Sequence, residues 1–247
     1  CCAFVRRPRT RKPLHVTVVT TAKTMSPLEP ALVIFDCDGV LVDSEPIANR
    51  ILAEALTSEG YACSFEQSVE RFLGRDLPTI IQEVEDGLGQ KLSEGFFERL
   101  RADTYAAFRK QLQPIPGIDS ALNYIACPKC VASSGPPEKI RLSLDLTGLR
   151  HHFGEALFSA TQVSRGKPHP DLFLHAARYF DVQPEECVVV EDSVPGVLGA
   201  KAAGIPVLGY VGGDYVAPGH CKSLIEVGAK TFSKMDALPD LLEDLFK

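Results

Sequence analysis

Short, continuous apolar runs are the feature that most limits what this chain can fold into. Residues 31–35 read Ala-Leu-Val-Ile-Phe, and residues 187–190 read Cys-Val-Val-Val. Strands buried on one face alternate apolar and polar residues, whereas strands buried on both faces, as in parallel sheets, do not. These runs therefore predict central strands of a parallel sheet that is covered on both faces.

Strand and helix patterns alternate through the second half of the chain. The patterns predict helices over residues 118–125, 136–146, 171–180 and 195–203. They predict strands over residues 129–132, 156–159, 187–190 and 205–210. This alternation indicates an α/β fold with a doubly wound parallel (Rossmann-like) sheet and helices on both of its faces.

Residues 47–113, between the first strand and the alternating part, have a purely helical character. Apolar residues recur at helical spacing over residues 47–56, and similar patterns follow over 65–73, 77–88 and 94–112. The Pro-Ile-Pro-Gly sequence of residues 114–117 is a turn signal that ends this region. We therefore expect a helical domain of residues 47–113, inserted into a core domain formed by residues 25–46 and 114–247.

Residues 1–24 differ from the rest of the chain because they are rich in Arg and Thr and contain no acidic residue. One interpretation is non-native sequence that precedes a true start at Met25, and the other is a remnant of a targeting peptide, which has this composition. We expect the first, together with a cytoplasmic location, and keep organellar targeting as the alternative. No run of about 18 apolar residues exists, so no membrane span is expected.

The charge of the chain argues against nucleic acid as a partner. Residues 1–30 hold six of the 26 basic residues and one of the 32 acidic residues, which leaves a net charge of −11 on the remainder. Affinity for phosphate backbones needs a basic surface. We therefore expect no nucleic-acid and no membrane partner.

Polar residues that could bind a ligand or take part in a reaction follow the predicted strands. In parallel α/β sheets, ligands bind beyond the carboxyl ends of the strands. The residues at these positions, together with one lysine before a helix, are Asp36, Asp38, Ser133, Ser134, Lys167, Glu191 and Asp192. A single Asp at a strand end is usually a turn or cap residue, but here four carboxylates are expected in one crevice.

Such a group of carboxylates needs positive charge. Neighbouring carboxylates repel one another unless a hard cation lies between them, and Mg²⁺ prefers carboxylate and phosphate oxygens. Lys167 adds a second positive charge. The sequence therefore predicts a Mg²⁺ site that receives an anionic, phosphate-bearing substrate.

Four segments together resemble the haloacid dehalogenase-like hydrolase superfamily over residues 30–247. They are Phe-Asp-Cys-Asp-Gly-Val (35–40), Val-Ala-Ser-Ser (131–134), Gly-Lys-Pro-His-Pro-Asp (166–171) and Val-Glu-Asp-Ser-Val-Pro-Gly (190–196). The helical insertion looks like the small cap domain of the β-phosphoglucomutase-like branch. Within that branch, residues 36–45 and 131–136 are most similar to 6-phosphogluconate and other sugar-phosphate phosphatases.

The resemblance implies a role for each of the polar residues. Asp36 would be the nucleophile that forms an aspartyl-phosphate, and Asp38 would be the general acid and base. Ser133 would hold the phosphoryl group, and Lys167 would neutralise charge. The Mg²⁺ ligands would be Asp36, the backbone carbonyl of Asp38 and Asp192, with Glu191 either binding the ion directly or supporting its ligands.

The resemblance also implies residues that contact the rest of the substrate. These are Ser134, Glu45 and, in the cap, Arg75, for which a surface position at a helix end is the alternative. Residues 43–46 and 114–117 would be the two hinges of a cap that closes over the site and excludes water.

Hydrolysis is the expected reaction. Asp38 is present, whereas haloalkanoate dehalogenases of the superfamily lack it, so phosphoryl transfer is favoured. Mutases of the β-phosphoglucomutase type carry His where this chain has Ala48. We therefore expect a phosphatase acting on a small phosphorylated metabolite, as a monomer or weak homodimer, with a phosphomutase or a catalytically silent binding protein as the alternatives.

One further pair of residues could bind metal. His151 and His152 are adjacent potential ligands, but they follow Arg150 near a predicted helix end. Cationic side chains are favoured at helix ends without any ligand. The sequence therefore favours a helix-end role for this pair.

Overall fold

A parallel sheet of six strands forms the centre of the computed structural model, in which residues 29–72, 77–213 and 219–247 are described. In chain order the strands are β1 (Leu32–Phe35), β2 (Lys129–Ser133), β3 (Leu157–Ser159), β4 (Cys187–Glu191), β5 (Val207–Tyr210) and β6 (Lys230–Phe232). Their spatial order is β3-β2-β1-β4-β5-β6, and every pair is parallel. The predicted doubly wound parallel sheet is confirmed.

The helices divide into four within the inserted region and six around the sheet, counted over the described residues. The inserted helices are α1 (Glu45–Ser58), α2 (Phe65–Phe72), α3 (Leu77–Leu88) and α4 (Phe96–Gln111). The others are α5 (Ile118–Tyr124), α6 (Pro137–Thr147), α7 (Asp171–Tyr179), α8 (Val194–Ala202), α9 (His220–Glu226) and α10 (Leu238–Asp244). In these parts of the chain, no helix is both long and apolar enough to cross a membrane.

The continuous apolar runs cover both faces of the sheet, because successive side chains of a strand point to opposite sides. Val33 and Phe35 of β1 pack in one cluster with side chains of α5, α6 and α10. Leu32 and Ile34 of the same strand pack in a second cluster with side chains of α7, α8 and α9. The four residues of β1 are fully buried, which explains why this strand has no polar alternation.

The inserted helices have an apolar cluster of their own. It is formed by side chains of α1, α2, α3 and α4, among which Leu56 and Val84 are fully buried. The two connections to the sheet run side by side, because Val42 and Pro114 form an antiparallel bridge. The backbone N–H of Asp43 donates to the carbonyl of Gln113 over 2.9 Å.

The last part of the chain contains elements that the sequence patterns did not indicate. α9 and α10 have seven residues each, and β6 is an edge strand of three residues whose first side chain is exposed. Such short elements offer too few positions for a period of 2 or 3.6 residues to emerge. Strand β5 also begins at Val207 rather than Ile205, since Pro206 has no N–H for a ladder hydrogen bond.

Helix α6 offers a test of the packing. Leu144 is fully buried in the cluster of the first face, whereas Leu146 of the same helix is 38% exposed. We expect Leu144→Ala to lower the free energy of unfolding by about 2–5 kcal/mol, because it leaves a cavity. Leu146→Ala should change it by no more than about 0.5 kcal/mol. Urea unfolding measures both, and equal losses would contradict this packing.

Candidate active site

The site begins where β1 ends. Asp36 follows the strand directly, is buried, and donates its backbone N–H to the carbonyl of Val190 in β4 over 2.9 Å. Residues 37–42 then form a tight turn, in which the N–H groups of Leu41 and Val42 both donate to the carbonyl of Cys37. β1 lies between β2 and β4, where the strand order reverses, which is where ligands bind in such sheets.

Gly39 is the residue that lets this turn approach β4. Its φ of 77° lies in the left-handed region, where residues with a Cβ are disfavoured. A Cβ at this position would also overlap with Oδ2 of Asp192. The absence of a side chain at Gly39 therefore allows the carboxylate of Asp192 to lie directly against the turn that carries Asp36 and Asp38.

Lys167 joins the end of β1 to the end of β4. Its Nζ donates to Oδ1 of Asp36 over 2.5 Å and to Oε1 of Glu191 over 2.6 Å, and only 4% of its side chain is exposed. Burial alone would lower the pKa of Lys167, but the two carboxylates outweigh burial and raise it. Lys167 is therefore a permanent positive charge between Asp36 and Glu191.

Glu191 is held from both sides. Its Oε2 accepts hydrogen bonds from the backbone N–H of Ser193 over 2.7 Å and from the Ser193 hydroxyl over 2.9 Å. A Cβ at Gly196, in the first turn of α8, would overlap with the Glu191 carboxylate. This fully buried carboxylate thus lies on the first turn of the helix, where negative charge is favoured.

Three carboxylates of this cluster fit a divalent metal ion. Asp36, Glu191 and Asp192 each place an oxygen within 4.8 Å of the other two. Burial, followed by the neighbouring carboxylates, raises the pKa of Asp36 to about 7 and that of Asp192 well above its usual range. When all three carboxylates are ionised, Lys167 balances one negative charge and two remain for a divalent cation. All-oxygen donors at this charge suit Mg²⁺.

Asp38 lies in a different environment from Asp36. Its Oδ1 accepts a hydrogen bond from the hydroxyl of Ser44 over 2.6 Å, and its Oδ2 accepts one from Nζ of Lys139 over 2.9 Å. Burial alone would raise the pKa of Asp38, but Lys139 and Ser44 outweigh burial and lower it. The protein therefore holds Asp38 as a carboxylate on the side of the inserted helices.

Lys139 and Ser44 were not identified from the sequence. Lys139 lies in the first two turns of α6, three-quarters buried, with its Nζ 5.8 Å from the centre of the Phe108 ring of α4. In the sequence, Lys139 is only a lysine five residues after Ser134. Its function becomes apparent only when the fold places α6 beside Asp38. Ser44 belongs to the predicted hinge, and only its contact with Asp38 indicates a function.

The remaining predicted residues lie at different depths. Ser133 is buried at the end of β2, and a Cβ at Gly135 would lie 3.4 Å from its Oγ and 3.9 Å from Oδ2 of Asp38. Ser134, which follows it, is exposed. Arg75 lies outside the described residues, so the structure carries no information on it.

A series of hydrogen-bonded polar side chains runs from Glu45 into the inserted helices. Burial, followed by the charge of Asp38, raises the pKa of Glu45 to about 7. Asn49, one turn further along α1, donates to Oε2 of Glu45 over 3.2 Å and accepts a hydrogen bond from Ser68 of α2 over 3.0 Å. Asn49 and Ser68 were also missed, because buried polar residues inside helices give no sequence signal.

The arrangement can carry out group transfer. Asp36 offers a carboxylate oxygen whose negative charge is balanced by Lys167, and Asp38, two residues away, is a second carboxylate with a separate set of partners. A nucleophile and a separate proton-transfer group are the requirements of covalent catalysis with general acid–base assistance.

Comparison with known proteins adds a family match. Residues 30–204 match the family model described as haloacid dehalogenase-like hydrolase. The chain is 35% identical over 210 residues to the 6-phosphogluconate phosphatase of Escherichia coli, covering 85% of this chain and 93% of that protein. It is 30% identical over 223 residues to a phosphorylated carbohydrates phosphatase of Thermotoga maritima, covering 86% and 98%.

The fold matches solved structures as well. A conserved haloacid dehalogenase-like protein from Agrobacterium tumefaciens superimposes with a TM-score of 0.80 at 37% sequence identity. The match covers 88% of this chain and 99% of that one. The similarity therefore includes both the sheet and the inserted helices.

Gly39 provides a test of the carboxylate cluster. We expect Gly39→Ala to weaken Mg²⁺ binding by at least about 10-fold, because the new methyl group displaces Asp192. Gly204→Ala is the matched control: its φ of 75° is nearly the same, and no described residue lies within 4 Å of the added Cβ. Both variants should lose about 1–2 kcal/mol of stability from the left-handed backbone.

Isothermal titration with Mg²⁺ measures the affinity for the ion separately from the loss of stability that both variants share. Equal Mg²⁺ affinity in the two glycine variants would show that Asp192 does not take part in binding the ion.

The pairing of Asp38 with Lys139 predicts a measurable coupling. We expect Lys139→Met and Asp38→Asn each to destabilise the fold, and the double variant to be more stable than the sum of the two losses predicts. The coupling should be about 0.5–3 kcal/mol, because each single change leaves the other partner without its buried counterpart. Urea unfolding of the four proteins gives this value, and strictly additive losses would contradict the contact.

Proposed function

The chain belongs to the haloacid dehalogenase-like hydrolases, and we propose that it is a Mg²⁺-dependent phosphatase that hydrolyses a small sugar phosphate through an aspartyl-phosphate intermediate. The observation that supports this most is the buried contact of Asp36 with Lys167, at the strand end that also carries Asp38. The phosphatases to which the chain is 30–35% identical support phosphorylated carbohydrates as the substrate class.

In the first step, Asp36 attacks the phosphorus atom of the substrate. A bond forms between a carboxylate oxygen of Asp36 and phosphorus, and the bond from phosphorus to the sugar oxygen breaks. Asp38 gives a proton to the departing oxygen. Asp38 must therefore carry a proton at this stage. Both of its oxygens accept hydrogen bonds in the structure, so the oxygen that takes the proton has to turn from Ser44 or Lys139 towards the substrate.

In the second step, water hydrolyses the aspartyl-phosphate. Asp38, now a carboxylate, accepts a proton from the attacking water, and the products are inorganic phosphate and free Asp36. The contacts of Asp38 with Ser44 and Lys139 stabilise the carboxylate form that this step requires.

Positive charge supports both steps. Lys167 lowers the pKa of Asp36, although burial has the larger and opposite effect, and it faces the site where the phosphoryl group would bind. Mg²⁺, when bound, would offset the negative charge of the phosphoryl oxygens. Asp36, Glu191, Asp192 and the backbone carbonyl of Asp38 are the residues that would hold it. Ser133 would donate a hydrogen bond to the phosphoryl group.

The inserted helices would act as the cap. We assign residues 25–46 and 114–247 to the core domain and residues 47–113 to the cap domain, whose own apolar cluster supports this division. Glu45, Ser134 and Arg75 would contact the part of the substrate that does not react. A cytoplasmic location and a monomer or weak homodimer remain expectations of the same proposal.

A panel of sugar phosphates tests the reaction. We expect the protein to release inorganic phosphate from at least one of them in the presence of Mg²⁺ and to stop when the metal is removed with a chelator. Asp36→Asn should release none above background, because an amide is not a nucleophile here. Asp38→Asn should be slower by about 10²–10⁴-fold, since proton transfer is lost.

Asp240→Asn, a change of the same kind at an exposed position of α10, is the control and should keep full activity. Release of phosphate that persists in Asp36→Asn would exclude this nucleophile. Interconversion of phosphate isomers without net release would favour a mutase, and no reaction with any sugar phosphate would overturn the proposal.

A further inference from the structure

A second group of metal-ligating side chains lies outside the candidate active site. Asp119 belongs to the first turn of α5, and His151 and His152 end the 3-10 turn Leu149–His152 that follows α6. One carboxylate oxygen and one ring nitrogen from each histidine lie within 4.8 Å of one another. We propose that these three side chains form a surface site for one divalent transition-metal ion, with Zn²⁺ as the best fit.

Existing hydrogen bonds already orient the two imidazole rings. His151 Nδ1 lies 2.8 Å from the carbonyl oxygen of Gly148, and His152 Nε2 lies 2.8 Å from Oδ1 of Asp119. A carbonyl can only accept, so Nδ1 of His151 carries the proton and the other ring nitrogen carries the lone pair that a metal needs. Metal-binding histidines typically have their second nitrogen fixed by a carbonyl in this way, as His151 has. Asp119 is itself a proposed ligand, so ion binding replaces its hydrogen bond with His152, and Nε2 of His152 gives up its proton.

The packing of the rings keeps the ligands together. The ring centres of His151 and His152 are 3.9 Å apart, and only 6% of the His152 side chain is exposed. A tetrahedral ion with bonds of about 2.1 Å needs ligand atoms roughly 3.4 Å apart. The three ligand atoms lie within 4.8 Å of one another, and Asp119 and His151 are exposed, so both side chains can adjust to this spacing.

The neighbouring charge does not oppose a cation. Arg150 precedes the two histidines, but its guanidinium donates to Asp145, Glu155 and the carbonyl of Gly154. Its charge is thus balanced by two carboxylates other than Asp119. The helix-end role expected from the sequence accounts for the contact of His151 with Gly148, but not for the convergence with Asp119.

The donor set selects the class of ion. Two imidazole nitrogens and one carboxylate suit Zn²⁺ and its neighbours in the first transition row, whereas Mg²⁺ prefers oxygen ligands. Three protein ligands leave the fourth position of a tetrahedral ion to water. A bound ion would cross-link the first turn of α5, which follows the chain's return from the inserted helices, to the 3-10 turn after α6.

Zinc binding in the presence of excess Mg²⁺ tests the site. Chelator-treated protein is dialysed against Zn²⁺, and the bound zinc per chain is measured for wild type, Asp119→Asn, His151→Gln and the control His175→Gln. His175 lies in α7, against the Phe158 ring, and belongs to neither cluster. The cysteines and the candidate active site are present in all four proteins, so their contribution is the same.

We expect wild type and His175→Gln to bind one more Zn²⁺ per chain than the other two variants, or to bind it more than about 10-fold more tightly. A Zn²⁺ concentration about 100-fold above Kd should raise the midpoint of thermal unfolding by about 5–10 °C in wild type and His175→Gln only. Equal stoichiometry and equal shifts in all four proteins would overturn the proposal, as would the same loss in His175→Gln. Asp119→Asn keeps the test valid if His151→Gln does not fold.

Discussion

The buried contact of Lys167 with Asp36 and Glu191 is the interaction on which the rest of the site depends. Charges of this kind are tolerated in a protein interior only when they are paired and hydrogen-bonded, because each loses its hydration. Lys167 joins the ends of β1 and β4 through one ammonium group. Without it, the three carboxylates at the edge of the sheet would face one another with no cation from the described residues between them.

A second ammonium group separates the two aspartates in function. Asp36 lies beside Lys167 but also beside two other carboxylates, and burial raises its pKa to about 7, whereas Lys139 and Ser44 lower the pKa of Asp38. Carboxylates two residues apart thereby receive opposite environments, which is how one site can assign different roles to chemically identical groups. Ser44 also connects Asp38 to the start of α1. The proton-transfer group of the proposed reaction is therefore in direct contact with the inserted helices.

Much of this organisation could be predicted from the sequence, and the rest could not, for identifiable physical reasons. The apolar runs before Asp36 and Glu191 predicted the strands, because burial on both faces leaves no room for polar alternation. Elements such as β6 were missed because three residues cannot show a period. Lys139 was missed because an isolated lysine in a helix is ordinarily a solvated side chain, and its importance comes only from the neighbour it meets. The contact of Asp119 with His152 was missed for the same reason, because it depends on which residues the fold brings together.

The sequence by itself determined the class of sheet, the chain segments that end at its carboxyl edge, and the residue types placed there. These properties are local, since they depend on the pattern of a few consecutive residues. Only the tertiary structure decided which carboxylate meets which ammonium group. Lys167 lies 131 residues from Asp36 in the chain, and Lys139 lies 101 residues from Asp38. Contacts over such separations arise from the order of the strands and the packing of α6 against the turn after β1, which no local pattern encodes.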